Sequence, residues 1–107
     1  MEPLIISCAL SGGLETPEQN EHVPFNPEAI GEAAVAAWRE GAAVVHIHAR
    51  EDDGEHSGSP VVFGRILEVI RSAGCDAVIN LTTSHASWEE DVWEERFAAL
   101  EMRSDLA

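Results

Sequence analysis

Three repeats of an apolar run followed by a helix-forming segment are the feature that most limits how this chain can fold. The apolar runs start at Leu4, Ala42 and Asp76, which gives repeats of 38 and 34 residues. Runs that are apolar on both faces and alternate with amphipathic helices are typical of parallel sheets. The sequence therefore predicts an α/β fold of three consecutive βα units, (βα)3. The predicted strands are 4–10, 42–48 and 76–82.

The first two predicted helices carry start and stop signals. Asn26 and Ser59 are candidate N-caps, and each is followed by a proline, which suits the first helical position. Gly41 and Gly74 are the candidate stops, so each helix is predicted to fill the residues between its cap and its glycine. The faces expected to pack on the sheet are Ile30, Ala33, Ala34, Ala37 and Trp38 in the first helix and Val62, Phe63, Ile66, Leu67 and Ile70 in the second.

A third helix is predicted after the third strand, over 88–101. Ser87 and Glu90 have the Ser-x-x-Glu spacing of a capping box, which satisfies backbone N–H groups at a helix start. The residues expected on its core side are Trp88, Val92, Phe97 and Leu100.

Two architectures contain a (βα)3 unit, namely the doubly wound sheet and the (βα)8 barrel. The loop after the first strand lacks the G-x-G-x-x-G pattern of dinucleotide-binding folds, which disfavours the first of them. In both architectures the functional loops follow the carboxyl ends of the strands. A functional site is therefore expected at those three loops.

The charge balance excludes two classes of partner. The chain has 6 basic and 20 acidic residues, for a formal charge of −14. Nucleic acids and anionic membranes both require a basic surface, so we expect neither as a partner. All the basic residues are Arg, and an acidic, Lys-free surface suits solubility at high salt. Salt adaptation is therefore a hypothesis, with compositional drift as the alternative.

Length and cysteine content predict a small cytoplasmic unit. The 107 residues suit one domain, and no apolar run approaches the roughly 18–20 residues of a membrane-spanning helix. The first residues lack the basic region of a signal peptide. Cys8 and Cys75 lie in or beside apolar runs without CxxC spacing, which predicts two small buried thiols and no disulfide.

The most informative pattern is the pair His46 and His48, which closes the second strand. Residues two apart on a strand face the same side, with Cβ atoms about 6.5–7 Å apart. Zn–N bonds of about 2.0–2.1 Å let both imidazoles reach one metal ion. The pattern fits a metal site that needs a third ligand from elsewhere. Two hydrogen-bonded core histidines are the alternative.

Arg50 lies two residues beyond His48 and could share its face. A guanidinium at that position could hold a substrate carboxylate or orient a metal ligand. The alternative is a surface ion pair with the acidic residues that follow it. Those residues, in the run EDDGEH, lack an EF-hand pattern and are predicted to form a solvated loop.

The third strand ends in hydroxyl-bearing residues. Asn80 and Thr82 share a strand face, and Thr82, Thr83 and Ser84 offer hydroxyls near a helix start, which suits a carboxylate or phosphate. Ordinary turn chemistry is the alternative. His85 is interpreted as a loop residue, with acid–base chemistry as the other possibility. The remaining histidines, His22 and His56, are predicted to be surface residues, and the tryptophans to pack on helices.

Three segments of the chain resemble the β-keto acid cleavage enzyme family, whose best-known activity is 3-keto-5-aminohexanoate cleavage. They are PLIISCALSGG, TPEQNEHVPFNPEAIGEAAVAAWREGAAVVHIHAR and NLTT. The resemblance covers essentially the whole chain in order, and its most specific part is the H-[IL]-H-x-R motif.

The resemblance implies a (βα)8 TIM barrel, of which residues 1–107 would be one partial domain with the first three βα units. It implies a divalent metal, usually zinc, held by His46, His48 and a later glutamate. The implied reaction is acetyl transfer between a β-keto acid and acetyl-CoA, giving acetoacetate and a new CoA thioester. Thr82, Thr83, Arg50 and Glu15 match positions that bind substrate, and the full-length family implies a homo-oligomer.

Two departures from the family pattern leave alternatives open. Ser84 and His85 stand where the family typically has Gly-Gly, and the sequence ends near the expected fourth strand, before the later glutamate and the acid–base residues. One alternative is a truncated chain that is inactive or only associates with other chains. The other is an HxH metal-dependent barrel hydrolase, but those enzymes commonly place the motif on the first strand.

Overall fold

The computed structural model describes residues 2–84, 93–102 and 104–105. Within them the strands are β1 (Ser7–Ala9), β2 (Val44–Ile47), β3 (Ala49–Arg50), β4 (His56–Ser57) and β5 (Val78–Leu81). The helices are α1 (Pro27–Arg39), α2 (Pro60–Ser72) and α3 (Trp93–Ala98), and a 3-10 turn covers Ala99–Met102. The predicted capping box of Ser87 and Glu90, together with His85, Trp88 and Val92, lies outside the described residues.

The main sheet has three parallel strands in the order β1-β2-β5, which is their order along the chain. Its register places Ala9 beside His46 and His46 beside Asn80. The prediction of an α/β fold with a parallel sheet is confirmed. A consequence of this register is that the predicted site residues of the second and third strands meet at one edge of the sheet.

The start and stop signals of α1 and α2 are confirmed with one exception. The Asn26 side chain accepts a hydrogen bond from Ala29 N at 2.9 Å, and Gly41 and Gly74 take positive φ angles of 111° and 72° just beyond α1 and α2. Ser59 occupies the N-cap position of α2, but its side chain makes no cap hydrogen bond. The predicted side-chain cap is therefore wrong, and the proline at the start of α2 leaves one fewer N–H group to satisfy there.

The core lies between the helices and the sheet. All five predicted core residues of α2 are buried, whereas the predicted face of α1 is fully buried only at Ile30 and Ala34. The two helices approach closely at Gly31, where an added Cβ would lie 2.6 Å from the Cβ of Val69. Gly31 is therefore the contact point that lets α1 pack down onto α2.

Several apolar residues predicted as core are exposed. Leu4 and Ile5 are 83% and 77% exposed, because they precede β1, which has only one neighbouring strand in the described part of the chain. Phe97 and Leu100 are about half exposed, since Ala99 in the 3-10 turn is the buried residue of that segment. Both cysteines are free, as predicted, but half-buried.

None of the helices in the described ranges combines the length and the apolar character that crossing a bilayer requires.

Candidate functional site

His46 and His48 point together at the carboxyl end of β2, as the strand period predicts. Their Nε2 atoms are 3.2 Å apart, and the ring planes meet at 78°. In a tetrahedral site with Zn–N bonds of about 2.0–2.1 Å, two ligand nitrogens lie roughly 3.3–3.4 Å apart. The observed separation therefore fits two ligands of one metal ion. It equally fits a single hydrogen bond between neutral imidazoles.

Asn80 fixes the tautomer of His46. Its Oδ1 lies 3.0 Å from His46 Nδ1, so the Nδ1–H group donates and the lone pair remains on Nε2. This contact follows from the sheet register, which sets His46 directly beside Asn80. Metal-binding histidines usually donate a hydrogen bond in this way from the ring nitrogen that does not bind the metal.

His48 is held in its neutral form. Burial, together with the neighbouring His46 and His56, lowers the pKa of His48 to about 4. The neutral imidazole keeps a lone pair available at physiological pH. Its Nδ1 is buried and has no hydrogen-bond partner among the described residues, so the site is not fully satisfied by these residues alone.

A complete metal centre is not assembled by the part of the chain that the structure describes. No group of three or more His, Cys, Asp or Glu side chains is placed to hold one metal ion there. The histidine pair therefore offers two ligands, and the third would have to come from residues beyond those described.

Arg50 is buried, with 4% of its surface exposed. Its NH2 group donates to the carbonyl oxygens of Gly12 at 3.0 Å and Glu15 at 2.7 Å, and its NH1 group donates to Gly54 O at 3.3 Å. The alternative of a surface ion pair is wrong, because the guanidinium faces backbone carbonyls of two loops. Asp52, one of the expected partners, pairs with Arg65 at 2.9 Å.

Glu15 lies on the first loop, and its carboxylate folds back over Gly12. Backbone N–H groups of Glu15 itself, Leu14 and Gly12, together with the charge of Arg50, lower the pKa of the Glu15 carboxyl, which is therefore ionised at neutral pH. The same carboxylate is close enough to His48 to raise its pKa slightly against the larger effect of burial. Glu15 thus contributes negative charge beside the histidine pair.

Thr82 and Thr83 follow β5. Thr82 is buried, its N–H donates to Ile47 O at 3.0 Å, and its hydroxyl oxygen accepts from Ser84 N at 3.0 Å. The hydroxyl of Thr82 is therefore engaged in a local turn, as the alternative interpretation predicted. Its hydrogen is still available to donate. Thr83 is half-buried next to it.

The acidic loop after β2 is more ordered than predicted. Its two ends pair as the antiparallel strands β3 and β4, and Gly54 takes a positive φ of 88° at the turn. Asp52 and Asp53 are exposed as expected, but His56 is half-buried. Its ring centroid lies 6.0 Å from that of His48, and its Nε2 donates to Ser84 O at 3.2 Å. The surface assignment is wrong for His56, because the hairpin turns it inward, and confirmed for the exposed His22.

Sequence reasoning missed the inward position of His56 and the contact of Asn80 with His46. Aligning the carboxyl ends of the predicted second and third strands would have set Asn80 beside His46 and identified the hydrogen bond. The Asp-Asp-Gly sequence of the acidic loop was a turn signal that could have predicted the hairpin and the inward position of His56.

The sequence is similar to proteins of one family. The family model described as beta-keto acid cleavage enzyme matches residues 3–107. A 3,5-dioxohexanoate:acetyl-CoA acetone transferase of Paraburkholderia graminis is 51% identical over 81 residues, which are 75% of this chain and 26% of the relative. A 3-keto-5-aminohexanoate cleavage enzyme of Fusobacterium nucleatum is 36% identical over 107 residues, which are 100% of this chain and 39% of the relative.

A third relative differs in its named substrate. The 3-oxoadipate:acetyl-CoA acetyltransferase of Cupriavidus necator is 35% identical over 106 residues, which are 99% of this chain and 36% of the relative. The chain thus spans between about a quarter and two fifths of the length of these curated relatives. Because the family model matches nearly the whole chain, the chain belongs to the β-keto acid cleavage enzyme family.

Proposed function

We propose that this chain supplies two metal ligands, His46 and His48, to a site for β-keto acid cleavage with acetyl-CoA. The reaction would be an acyl transfer that gives acetoacetate and a new CoA thioester. The observation that carries this proposal is the 3.2 Å separation of the two Nε2 atoms, with Asn80 holding His46 in the tautomer that a ligand needs. Membership of the family and the names of the relatives support the substrate class.

The chemistry of the donor set fits a divalent cation, with zinc as the first candidate. Two imidazole nitrogens that converge to 3.2 Å are typical of zinc ligands. A bound cation would satisfy the Nε2 atoms of both half-buried rings. The third ligand would be the later glutamate that the family resemblance implies.

A bound cation would supply Lewis-acid polarisation of the keto oxygen. The residues of this chain would then bind and orient the substrate around it. Thr82 and Thr83 would donate hydroxyl hydrogens at the end of β5, and the ionised Glu15 would attract a cationic substituent. Arg50 belongs to this set through the loop that carries Glu15, since its donors are bonded to carbonyl oxygens of that loop.

The same proposal extends to the architecture. Three parallel strands in chain order with helices between them are compatible with the first three βα units of a (βα)8 barrel. A homo-oligomer and a cytoplasmic location are further expectations from the resemblance and the composition. Both stay predictions.

The test is to express the chain and measure bound zinc and acetoacetate formation from a β-keto acid and acetyl-CoA. We expect zinc in the unaltered chain and its loss in His46→Ala and in His48→Ala. His22→Ala is the matched control, since His22 is exposed and lies far along the first loop. Zinc bound equally by the unaltered chain and by both histidine variants would contradict the metal-binding role of the pair, whereas absence of zinc with both histidines intact would show that two ligands are too few.

A second candidate is a chain that binds metal without turnover, or that only associates with other chains. The exposed apolar residues Leu4 and Ile5 favour it, because such a surface promotes association. Bound zinc without acetoacetate formation would support this candidate over the first. An HxH hydrolase is disfavoured, because the histidine pair ends the second strand and the chain matches another family.

A further inference from the structure

Arg50 has an unusual environment for a charged residue. It is 4% exposed, yet its hydrogen bonds go to three backbone carbonyl oxygens and to no carboxylate in the described part of the chain. Two of these carbonyls belong to the first loop, at Gly12 and Glu15, and the third belongs to the β3–β4 turn, at Gly54. One side chain therefore ties together two loops that follow different strands.

The segment held by Arg50 lies against the histidine pair. We call residues 12–15 the first-loop segment. A methyl group added at Gly13, between the two carbonyls that Arg50 binds, would lie 3.7 Å from His48 Nδ1. The backbone of the segment therefore covers the side of His48 that faces away from His46. The Glu15 carboxylate folds back over Gly12 and therefore belongs to the same segment.

The chemistry of the guanidinium suits this task better than a direct contact with substrate. Its planar fork offers several donors in a fixed arrangement, and NH2 uses both of its hydrogens on the first-loop segment. A lysine ammonium at the same place keeps the charge but cannot reach carbonyls of two loops with the same geometry. The buried head group is also shielded from the solvent through which a substrate would arrive.

We propose that Arg50 is a positioning residue, which holds the first-loop segment over His48 and sets the place of Glu15 beside the histidine pair. The inference deepens the proposed function, because it names the residue that organises one wall of that site. It does not depend on bound zinc or on turnover. The positioning role of Arg50 and the metal-binding role of the histidine pair can therefore be tested separately.

The experiment compares the unaltered chain with Arg50→Lys and with Arg39→Lys as a matched control at an exposed position. Amide hydrogen–deuterium exchange reports the first-loop segment, and modification by diethyl pyrocarbonate, located by mass spectrometry, reports access to each histidine. We expect Arg50→Lys to speed both exchange at residues 12–15 and modification of His48 several-fold. The exchange of α1 and α2 amides should stay unchanged, and Arg39→Lys should change neither readout.

A second variant keeps the test decisive if Arg50→Lys fails to fold. Arg50→Gln keeps a planar polar side chain but replaces the guanidinium by a single NH2 group, which cannot bridge both loops. It should expose His48 as Arg50→Lys does. Unchanged His48 modification in either folded variant would overturn the proposal. Faster exchange spread evenly over α1, α2 and the loop would also overturn it, because Arg50 would then serve overall stability alone.

Discussion

The helix-packed core and the carboxyl-end edge of the sheet are stabilised by different kinds of contact. In the core, α2 buries its whole apolar face, and residues such as Ile66 and Phe63 are almost fully enclosed. At the edge, His46 and His48 are only half-buried, and directional contacts join His46 to Asn80 and to His48. Non-directional packing thus stabilises one region, while the other depends on a few directional contacts.

This difference indicates which substitutions should change stability and which should change ligand binding. Substitutions in the core should change the free energy of unfolding and leave the geometry of the histidine pair alone in molecules that remain folded. Substitutions at the edge should change ligand affinity more than stability. Four substitutions or conditions test the separation, beginning with the greatest loss of stability.

Ile66→Ala should cause the largest loss. Ile66 is 0% exposed within the hydrophobic core, and truncation of such a residue costs about 2–5 kcal/mol because a cavity remains. Chemical denaturation measures the change. Val61→Ala, at a 74% exposed position of the same helix, is the control and should stay within about 0.5 kcal/mol of the unaltered chain. Equal losses at both positions would contradict the assigned core.

Asn80→Leu should lower stability less than Ile66→Ala but should weaken metal binding directly. It removes the acceptor of the His46 Nδ1–H group, and an unsatisfied donor costs about 1–3 kcal/mol. Loss of such a contact typically weakens metal binding about 10–100-fold. Zinc titration by calorimetry measures the affinity. Asn80→Asp keeps an acceptor and should retain binding, so equal weakening in both variants would argue against the tautomer role of Asn80.

Gly31→Ala, in the helix-packed core, should cause a smaller loss of stability. The added Cβ meets Val69, and overpacking costs about 1–3 kcal/mol, of which the better helix propensity of alanine returns about 1 kcal/mol. Gly64→Ala is the control within α2, since its Cβ would make ordinary contact with Met102 at 3.7 Å. Thermal denaturation should show destabilisation by the first and slight stabilisation by the second. The reverse order would contradict the close approach of the helices.

Acid should destabilise the chain through His48. Its pKa in the folded chain is about 4, below its value of about 6.5 in an unfolded chain. Between these values the unfolded chain binds more protons, so the free energy of unfolding falls as the pH drops from about 6.5 to 4. Denaturation curves at several pH values, without metal, measure the slope. His48→Gln should flatten it and His22→Gln should not. A slope unchanged by His48→Gln would contradict the assignment.

The parts that could be predicted from the sequence are those governed by periodic patterns. The α2 face and the joint projection of His46 and His48 follow from the helical and strand periods, and the parallel sheet follows from the alternation of apolar runs with amphipathic helices. The failures arise where a contact depends on which other element comes near. Leu4 is apolar but precedes an edge strand, and His56 follows an acidic run whose turn folds it back towards His48.

Arg50 shows the same limit within the site. Its spacing from His48 predicted a position on the same strand face, but not that carbonyls of two separate loops would take up its donors. Such contacts between loops distant in sequence have no periodic signal. They depend on the three-dimensional course of the loops, which local patterns do not determine.

The central claim is that His46 and His48 bind one metal ion together through their Nε2 atoms. X-ray absorption at the zinc edge, recorded on the zinc-loaded chain, tests this most directly because it counts imidazole ligands. The account predicts two imidazole nitrogens at about 2.0–2.1 Å in the unaltered chain and in His22→Ala, and one in His48→Ala. A zinc spectrum that is the same with and without His48 would contradict it.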